Sequence, residues 1–302
     1  MESVADESVK GFRLVILDNA STTDNSGVVA QYKQLCPEHV INSQNLGSVG
    51  NICKAVADYA DRDYLTVFHD DDVMHSRLLQ LELEVLRSDP EIQWVATELV
   101  EFNDENHLPE GIRDGSSATV TVFEDTAQLV REFLGGSMLC FDSTMYRASS
   151  LKGATLDAEK YSIYCDRPFL VDVARQGKCA LVRAPLVRYR LHPEQDTNTG
   201  RLNVRNLIEL MLCYRRELPV ELTTDDAEFF YGRSAKFLVA EYPRLARQCR
   251  PGGVGFLFQC RSAGVLRLRD IGFRDSLTLA RADGWGRWID AALQLKRWLS
   301  RS

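Results

Sequence analysis

The chain is organised around Tyr64-Leu65-Thr66-Val67-Phe68-His69-Asp70-Asp71-Asp72, in which five mostly apolar residues run into a histidine and three consecutive carboxylates. A run this apolar reads as a strand buried on both faces, as in parallel sheets. Three adjacent carboxylates repel one another and desolvate badly at a strand end. They call for a counter-charge, which a divalent cation supplies. In open α/β sheets, ligands bind beyond the carboxyl ends of the strands. The stretch therefore predicts a metal site that holds an anionic ligand.

Strands alternate with helices on both sides of it. Residues 12–17 (FRLVIL) read as a strand running into the turn- and cap-rich residues 18–27, and 28–35 read as a short helix. Residues 40–41 form a short strand. The loop 45–51 leads into a helix on which Val49, Ile52, Cys53, Val56 and Ala60 share helical spacing. A helix over 76–88 stops at Pro90, and 92–100 read as a strand. Residues 103–118 are polar and read as a surface loop. Strand-like 120–123 precede a helix over 124–134 ended by Gly135-Gly136. Residues 138–146 are strand-like, 166–176 read as a helix with Pro168 in its first turn, and two short strands flank Pro185. This alternation predicts an α/β domain over 1–200 with a mainly parallel sheet flanked by helices. Beyond it, 202–218, 225–248 and 285–299 read as helices, a helical extension over 201–302.

A chain of 302 residues suffices for a large domain with an appendage. It contains no apolar run long enough to span a bilayer, and its N-terminus is not a signal peptide. The eight cysteines are scattered without a C-x-x-C pair. They read as reduced thiols of a cytoplasmic protein, not as a disulfide framework or a zinc site. Charge is split: residues 1–200 hold 18 Lys+Arg against 32 Asp+Glu, and 201–302 hold 18 against 11. The basic part fits either an anionic or membrane partner or a solvated, arginine-rich helical surface.

Four stretches in register resemble the family-2 glycosyltransferases: 12–24 (FRLVILDNASTTD), 45–51 (NLGSVGN), 63–79 (DYLTVFHDDDVMHSRLL) and 165–192 (CDRPFLVDVARQGKCALVRAPLVRYRLH). The resemblance covers residues 1 to about 197 and implies a GT-A, Rossmann-like nucleotide-diphospho-sugar fold. It implies an inverting transfer from a UDP- or dTDP-sugar to a saccharide or lipid-linked acceptor, with Mn2+ or Mg2+ as cofactor and no nucleic-acid partner. Polysaccharide or glycan synthesis at the cell surface is the implied context. By position, the family's D-x-D motif falls on His69 and Asp71. The implied metal ligands are Asp71, Asp72 and His192, with Asp70 and Arg190 beside the nucleotide-sugar. Asp18 and Asn19 match nucleobase contacts, and Asn45, Gly47 and Asn51 match a loop beside the base and diphosphate. Asp166 matches the general base that takes the acceptor proton. Local chemistry alone also accommodates plainer roles: an Asx turn at Asp18-Asn19, a helix cap at Asp166, and a basic strand edge at 188–192.

Two departures qualify the implied activity. His69 stands where the family has Asp, and Cys165 stands where the residue before the base is usually acidic. The resemblance also begins partway into the family's first helix. The strand that normally lies between 12–17 and 64–68 has no counterpart, as a downstream start assignment or a truncated relative would produce. That predicts either a gap in the sheet or direct pairing of those two strands. A non-catalytic nucleotide-sugar-binding protein is the alternative function. Finally, Trp285, Trp288, Ile289, Ala292, Leu295 and Leu299 share helical spacing with basic neighbours. They suit either packing on protein or peripheral contact with the inner face of a membrane.

Overall fold

The computed structural model describes residues 1–103, 118–193, 195, 200–221, 223–249, 252–286 and 289. These fall into two units, one of Met1–Leu129, Ser137–Leu156 and Asp166–Thr199, the other of Val130–Gly136, Asp157–Cys165 and Gly200–Ser302. The loop expected over 103–118 and most of the helix expected over 285–299 lie outside the described residues. In chain order the helices are α1 (Glu2–Ala5), α2 (Ser26–Gln31), α3 (Gly47–Tyr59), α4 (Leu78–Ser88), α5 (Thr126–Gly135), α6 (Ala158–Tyr161), α7 (Asp166–Ala174), α8 (Val204–Glu217), α9 (Thr224–Cys249), α10 (Gly253–Ser262) and α11 (Phe273–Ala280).

The strands of the first unit are β1 (Val15–Asp18), β2 (Glu38–Ile41), β3 (Tyr64–Thr66), β4 (Val73–Met74), β5 (Ile92–Phe102), β6 (Thr119–Phe123), β7 (Thr144–Arg147) and β8 (Lys178–Arg190). β1 and β2 pair in parallel as a sheet of their own. The main sheet runs β3-β7-β5-β8-β4, with β6 also on β8. The α/β architecture is as the sequence predicts, but the main sheet is mixed and not mainly parallel. Only β5 and β8 run parallel in it; β3, β4, β6 and β7 each pair antiparallel. The reason is local: β7 and β6 each run opposite to a long apolar strand, which strand hydrophobicity alone does not reveal.

β3 also departs from the doubly buried strand expected. Its residues are only partly buried, because it sits at the edge of the sheet with β7 on one side. Among the described residues no strand joins β1 to β3, so the gap, not the direct pairing, is what is observed. The two short strands expected around Pro185 are one 13-residue strand. Proline has no N–H to give to a ladder, and β5 accommodates Pro185 with register shifts on either side of Glu98.

The faces of the main sheet follow the two-residue period of its strands. Val95 and Met145 turn toward α4, into a core with Leu78, Leu86, Ile92, Val182 and Leu186. Their neighbours Trp94 and Tyr146 turn the other way. There Phe141, Tyr146 and Phe169 form an aromatic cluster with centroids 5.0–5.9 Å apart. Trp94 Nε1 donates to the Leu170 carbonyl at 3.0 Å, which ties α7 to the sheet. α7 leads back into the sheet through Gly177, where a Cβ would lie 2.4 Å from the Glu91 carbonyl. Any side chain there forces the turn open.

In the second unit, Asn203 and Asn206 close a capping box at the start of α8. The Asn206 amide donates onward to the carbonyls of Glu159 (3.1 Å) and Lys160 (2.8 Å). Phe133 stacks on Tyr214 at 5.8 Å. Tyr242 of α9 packs on Phe256 of α10 at 5.0 Å. Among the described residues, no helix is long and apolar enough to cross a membrane.

Candidate active site

Two strand pairings assemble the site. β4 runs antiparallel to β8 with Val73 opposite Arg188, so residues just before Val73 lie alongside those just after Arg188. Asp71 and Asp72 thereby meet Arg190 and His192, more than a hundred residues away. Likewise β3 opposes β7 with Thr66 opposite Met145, so the turn after β3 lies alongside the residues that precede β7. That brings His69 and Asp72 to Asp142. All three lie in the first unit.

The three consecutive aspartates occupy three environments. Asp70 is exposed. Asp71 Oδ2 lies 3.0 Å from His192 Nε2, and its carbonyl accepts from Arg190 Nε at 2.7 Å. Asp72 turns inward: its Oδ1 accepts from the Arg190 backbone N at 2.8 Å, and its Oδ2 is buried without a donor. The structure thus brings Asp71 and His192 together and directs Asp72 away from them. Burial first, and then the facing Asp142 carboxyl, push Asp72 far above the ordinary carboxylate range.

Arg190 is the hinge of this arrangement. Besides its two bonds to the acidic turn, its guanidinium lies 4.6 Å from the Phe102 ring centroid. Gln195 braces the same segment: its amide donates to the Arg190 carbonyl, and its Oε1 accepts from the His192 backbone N at 3.1 Å.

Asp166 opens α7, and its Oδ1 accepts from the Arg167 N–H at 2.8 Å. Burial of the carboxyl raises its pKa to about 6, and the Asp142 charge adds to that, against lowering by Arg167. A carboxylate poised there is a competent base near neutral pH. The Cys140 thiol is pushed well up by burial and then by Asp142, so it stays protonated.

The residues expected beside the base and diphosphate form a separate asparagine network between β1, β2 and α3. Asn19 Oδ1 accepts from Leu46 N (2.9 Å) and Asn42 Nδ2 (3.1 Å), and its amide donates to Asn45 Oδ1 (3.2 Å) and the Gly47 carbonyl (3.0 Å). Asn51 accepts from Asn42 at 2.8 Å and donates to the Leu17 carbonyl at 3.2 Å. Gly47 has φ +72°, a backbone state that favours glycine. Asp18 accepts from Ser21 N at 2.7 Å, an Asx-type turn that holds its carboxyl below the usual range. The turn-forming role of Asp18 and Asn19 is thus present in the fold.

Sequence reading passed over Asp142 and Asn42. Asp142 sits in a 3-10 turn, Phe141–Ser143, and is fully buried. Its one sequence signal was a carboxylate directly after the apolar run Met138-Leu139-Cys140-Phe141. Asn42 is buried and bridges Asn19 to Asn51, and nothing in its neighbours marks it.

Residues 1–153 match the sequence profile of glycosyl transferase family 2. No curated protein sequence matches the chain. Among solved structures, it superposes on S. aureus TarS 1-349 in complex with UDP-GlcNAc with a TM-score of 0.60 at 13% identity, covering 93% of this chain and 82% of that one. The same TarS fragment with UDP gives 0.54 at 12% identity, covering 95% and 86%. A longer S. aureus TarS structure gives 0.56 at 13% identity, covering 96% of this chain but only 50% of that one. At these identities the likeness is one of fold, and the fold is GT-A.

Proposed function

The chain belongs to glycosyl transferase family 2, and from that premise we propose that it transfers a sugar from a UDP- or dTDP-sugar to a saccharide or lipid-linked acceptor with inversion at the anomeric carbon. The observation that best supports the reading is the Asp71–His192 pair at 3.0 Å, and Asp166 of the same unit adds a carboxylate whose pKa is raised to about 6.

Asp166 takes the proton from the acceptor hydroxyl as that oxygen attacks the anomeric carbon. Asp71 and His192, their donor atoms 3.0 Å apart, are the residues that would hold the divalent cation. One carboxylate and one imidazole form a donor set better suited to Mn2+ than to Mg2+, which prefers oxygen and water. When bound, such a cation neutralises the charge that grows on the departing diphosphate. Arg190 fixes the acidic turn through the Asp71 carbonyl and the Asp72 carboxyl oxygen Oδ1. The asparagine network holds the loop 45–51 in the shape in which it would border the nucleoside.

The test is a donor screen scored by release of nucleoside diphosphate, with Mn2+ or Mg2+, on wild type, Asp71→Asn and Asp166→Asn. We expect turnover in wild type only. Donor binding without turnover in wild type would instead support the non-catalytic nucleotide-sugar-binding reading, and full turnover in either variant would defeat the assignment of that residue.

A further inference from the structure

Beside the Asp71–His192 pair is a second constellation, to which the transfer step proposed above assigns no chemistry. His69, Asp72 and Asp142 each offer a ligand atom, and these atoms lie within 4.8 Å of one another. Asp142 is completely buried, and both of its carboxylate oxygens lack a hydrogen-bond donor. Asp72 Oδ2 and His69 Nε2 are likewise buried atoms without a partner. His69 Nδ1 stands 3.8 Å from Asp72 Oδ2. Burying a carboxylate without a counter-charge or a hydrogen bond is among the costliest arrangements a fold contains. Here two buried carboxyl groups face each other with an imidazole beside them, and burial and the facing Asp142 hold a proton on Asp72 when no ion is bound.

The Cys140 thiol beside Asp142 is only a weak donor, and without good hydrogen-bond geometry it offers little relief. Glu82 of α4 is also fully buried, and burial raises its pKa well above the usual carboxylate range, so it stays protonated and brings no counter-charge to Asp142. Asp166 and the Cys140 thiol are the other titratable neighbours of Asp142, and neither is cationic. Arg190 gives its Nε–H to the Asp71 carbonyl, and Asp72 receives the Arg190 backbone N–H. The turn that carries Asp142 is rigid: Ser143 Oγ and Thr144 Oγ1 both donate to the Cys140 carbonyl, at 3.2 and 2.7 Å.

We propose that His69, Asp72 and Asp142 form a second divalent-cation site, separate from the donor-site pair Asp71 and His192. Ligand atoms about 2.0–2.3 Å from one ion lie roughly 3–4.5 Å apart, which this trio approaches without refolding. One imidazole and two carboxylates suit Zn2+ or Mn2+ rather than an all-oxygen ion. On this assignment His69 acts as a ligand of the inner ion, which gives a role to the histidine that stands where the family has Asp. The ion would be structural, pinning the turn after β3 to the turn before β7.

The test strips the full chain with a chelator and dialyses it against Zn2+ or Mn2+ without nucleotide. Bound ions per chain are then counted by elemental mass spectrometry for wild type, Asp71→Asn, Asp142→Asn and His69→Gln. We expect wild type and Asp71→Asn to keep one ion per chain and Asp142→Asn to keep none. Added cation should raise the melting temperature of the stripped wild type and leave that of Asp142→Asn unmoved. His69→Gln retains both carboxylates and sits on a half-exposed side chain, so it serves even if Asp142→Asn does not fold; its affinity should fall roughly tenfold or more. Wild type that takes up no ion without nucleotide overturns the proposal, leaving a proton shared by the carboxyl pair as the alternative. So does an unchanged ion count in Asp142→Asn or an unchanged affinity in His69→Gln. UDP binding with Mn2+, measured on the same samples, separates this outcome from failure of the glycosyltransferase reading.

Discussion

Replacing Asp166 by Asn removes a base and leaves its shape. As general base, Asp166 contributes about 10²- to 10⁴-fold to the rate, so Asp166→Asn should lower kcat/KM by that order. The raised pKa of about 6 adds a signature in pH. A base works in its ionised form, so activity falls as pH drops through 6. The ionised fraction goes from about 9% at pH 5 to about 91% at pH 7, a rise in kcat/KM of roughly tenfold. The stability term has the opposite sense. The folded state holds the Asp166 proton more tightly than the unfolded chain does, so the stabilisation from that proton is complete below the unfolded pKa and is lost as pH rises through 6. Asp166→Asn, permanently neutral, should therefore melt no lower than wild type at pH 7, and lost turnover cannot be charged to unfolding. The assay is release of nucleoside diphosphate from the active donor between pH 5 and 8, with melting curves on the same samples. A rise between pH 5 and 7 that persists in the residual activity of Asp166→Asn would refute the reasoning, because a group other than Asp166 would then set the profile. A flat wild-type profile would refute it outright.

Arg190→Lys keeps a positive charge and the backbone N–H to Asp72, but it loses the Nε bond to the Asp71 carbonyl and the planar group beside Phe102. We expect a loss of about 1–2 kcal/mol in stability and a higher metal concentration for half-maximal activity, read from melting curves and a Mn2+ titration. Asn42→Ala removes both bonds that tie Asn19 to Asn51. It should cost about 1–3 kcal/mol and speed hydrogen exchange in residues 42–51, while leaving exchange in α7 unchanged.

Much of the fold was legible because its signals are local. The apolar runs at 12–17 and 92–100 are strands within a few residues of where their composition places them, and Gly177 stands just beyond α7, as the C-terminal punctuation suggests. What local pattern does not carry is strand direction and partnership. Pro185 reads as a break, yet β8 continues through it because β5 shifts register to suit. β3 reads as doubly buried, yet it lies at an edge. The same limit governed the site. Asp71, Asp166 and His192 are prominent in their own motifs. Asp142 is not, since its meaning comes only from the antiparallel pairing of β3 with β7. Asn42 is silent for the same reason, for its partners lie 9 and 23 residues away.

The demand for a counter-charge, first inferred from three adjacent carboxylates, is relocated by the fold. Separation into three environments relieves most of the repulsion within the triplet. Asp70 is hydrated, and Asp71, with its side chain 36% exposed, faces His192. Only Asp72 faces another carboxylate in a place that water does not reach, and that carboxylate comes from the far side of the sequence. Exposure then divides the labour. A half-exposed carboxylate–imidazole pair is open to an ion that arrives and leaves with a diphosphate. A sealed pair is suited to an ion that stays. If both assignments hold, chelation should act in two stages: rapid loss of turnover as the open site empties, followed by slow loss of melting temperature as the buried site does.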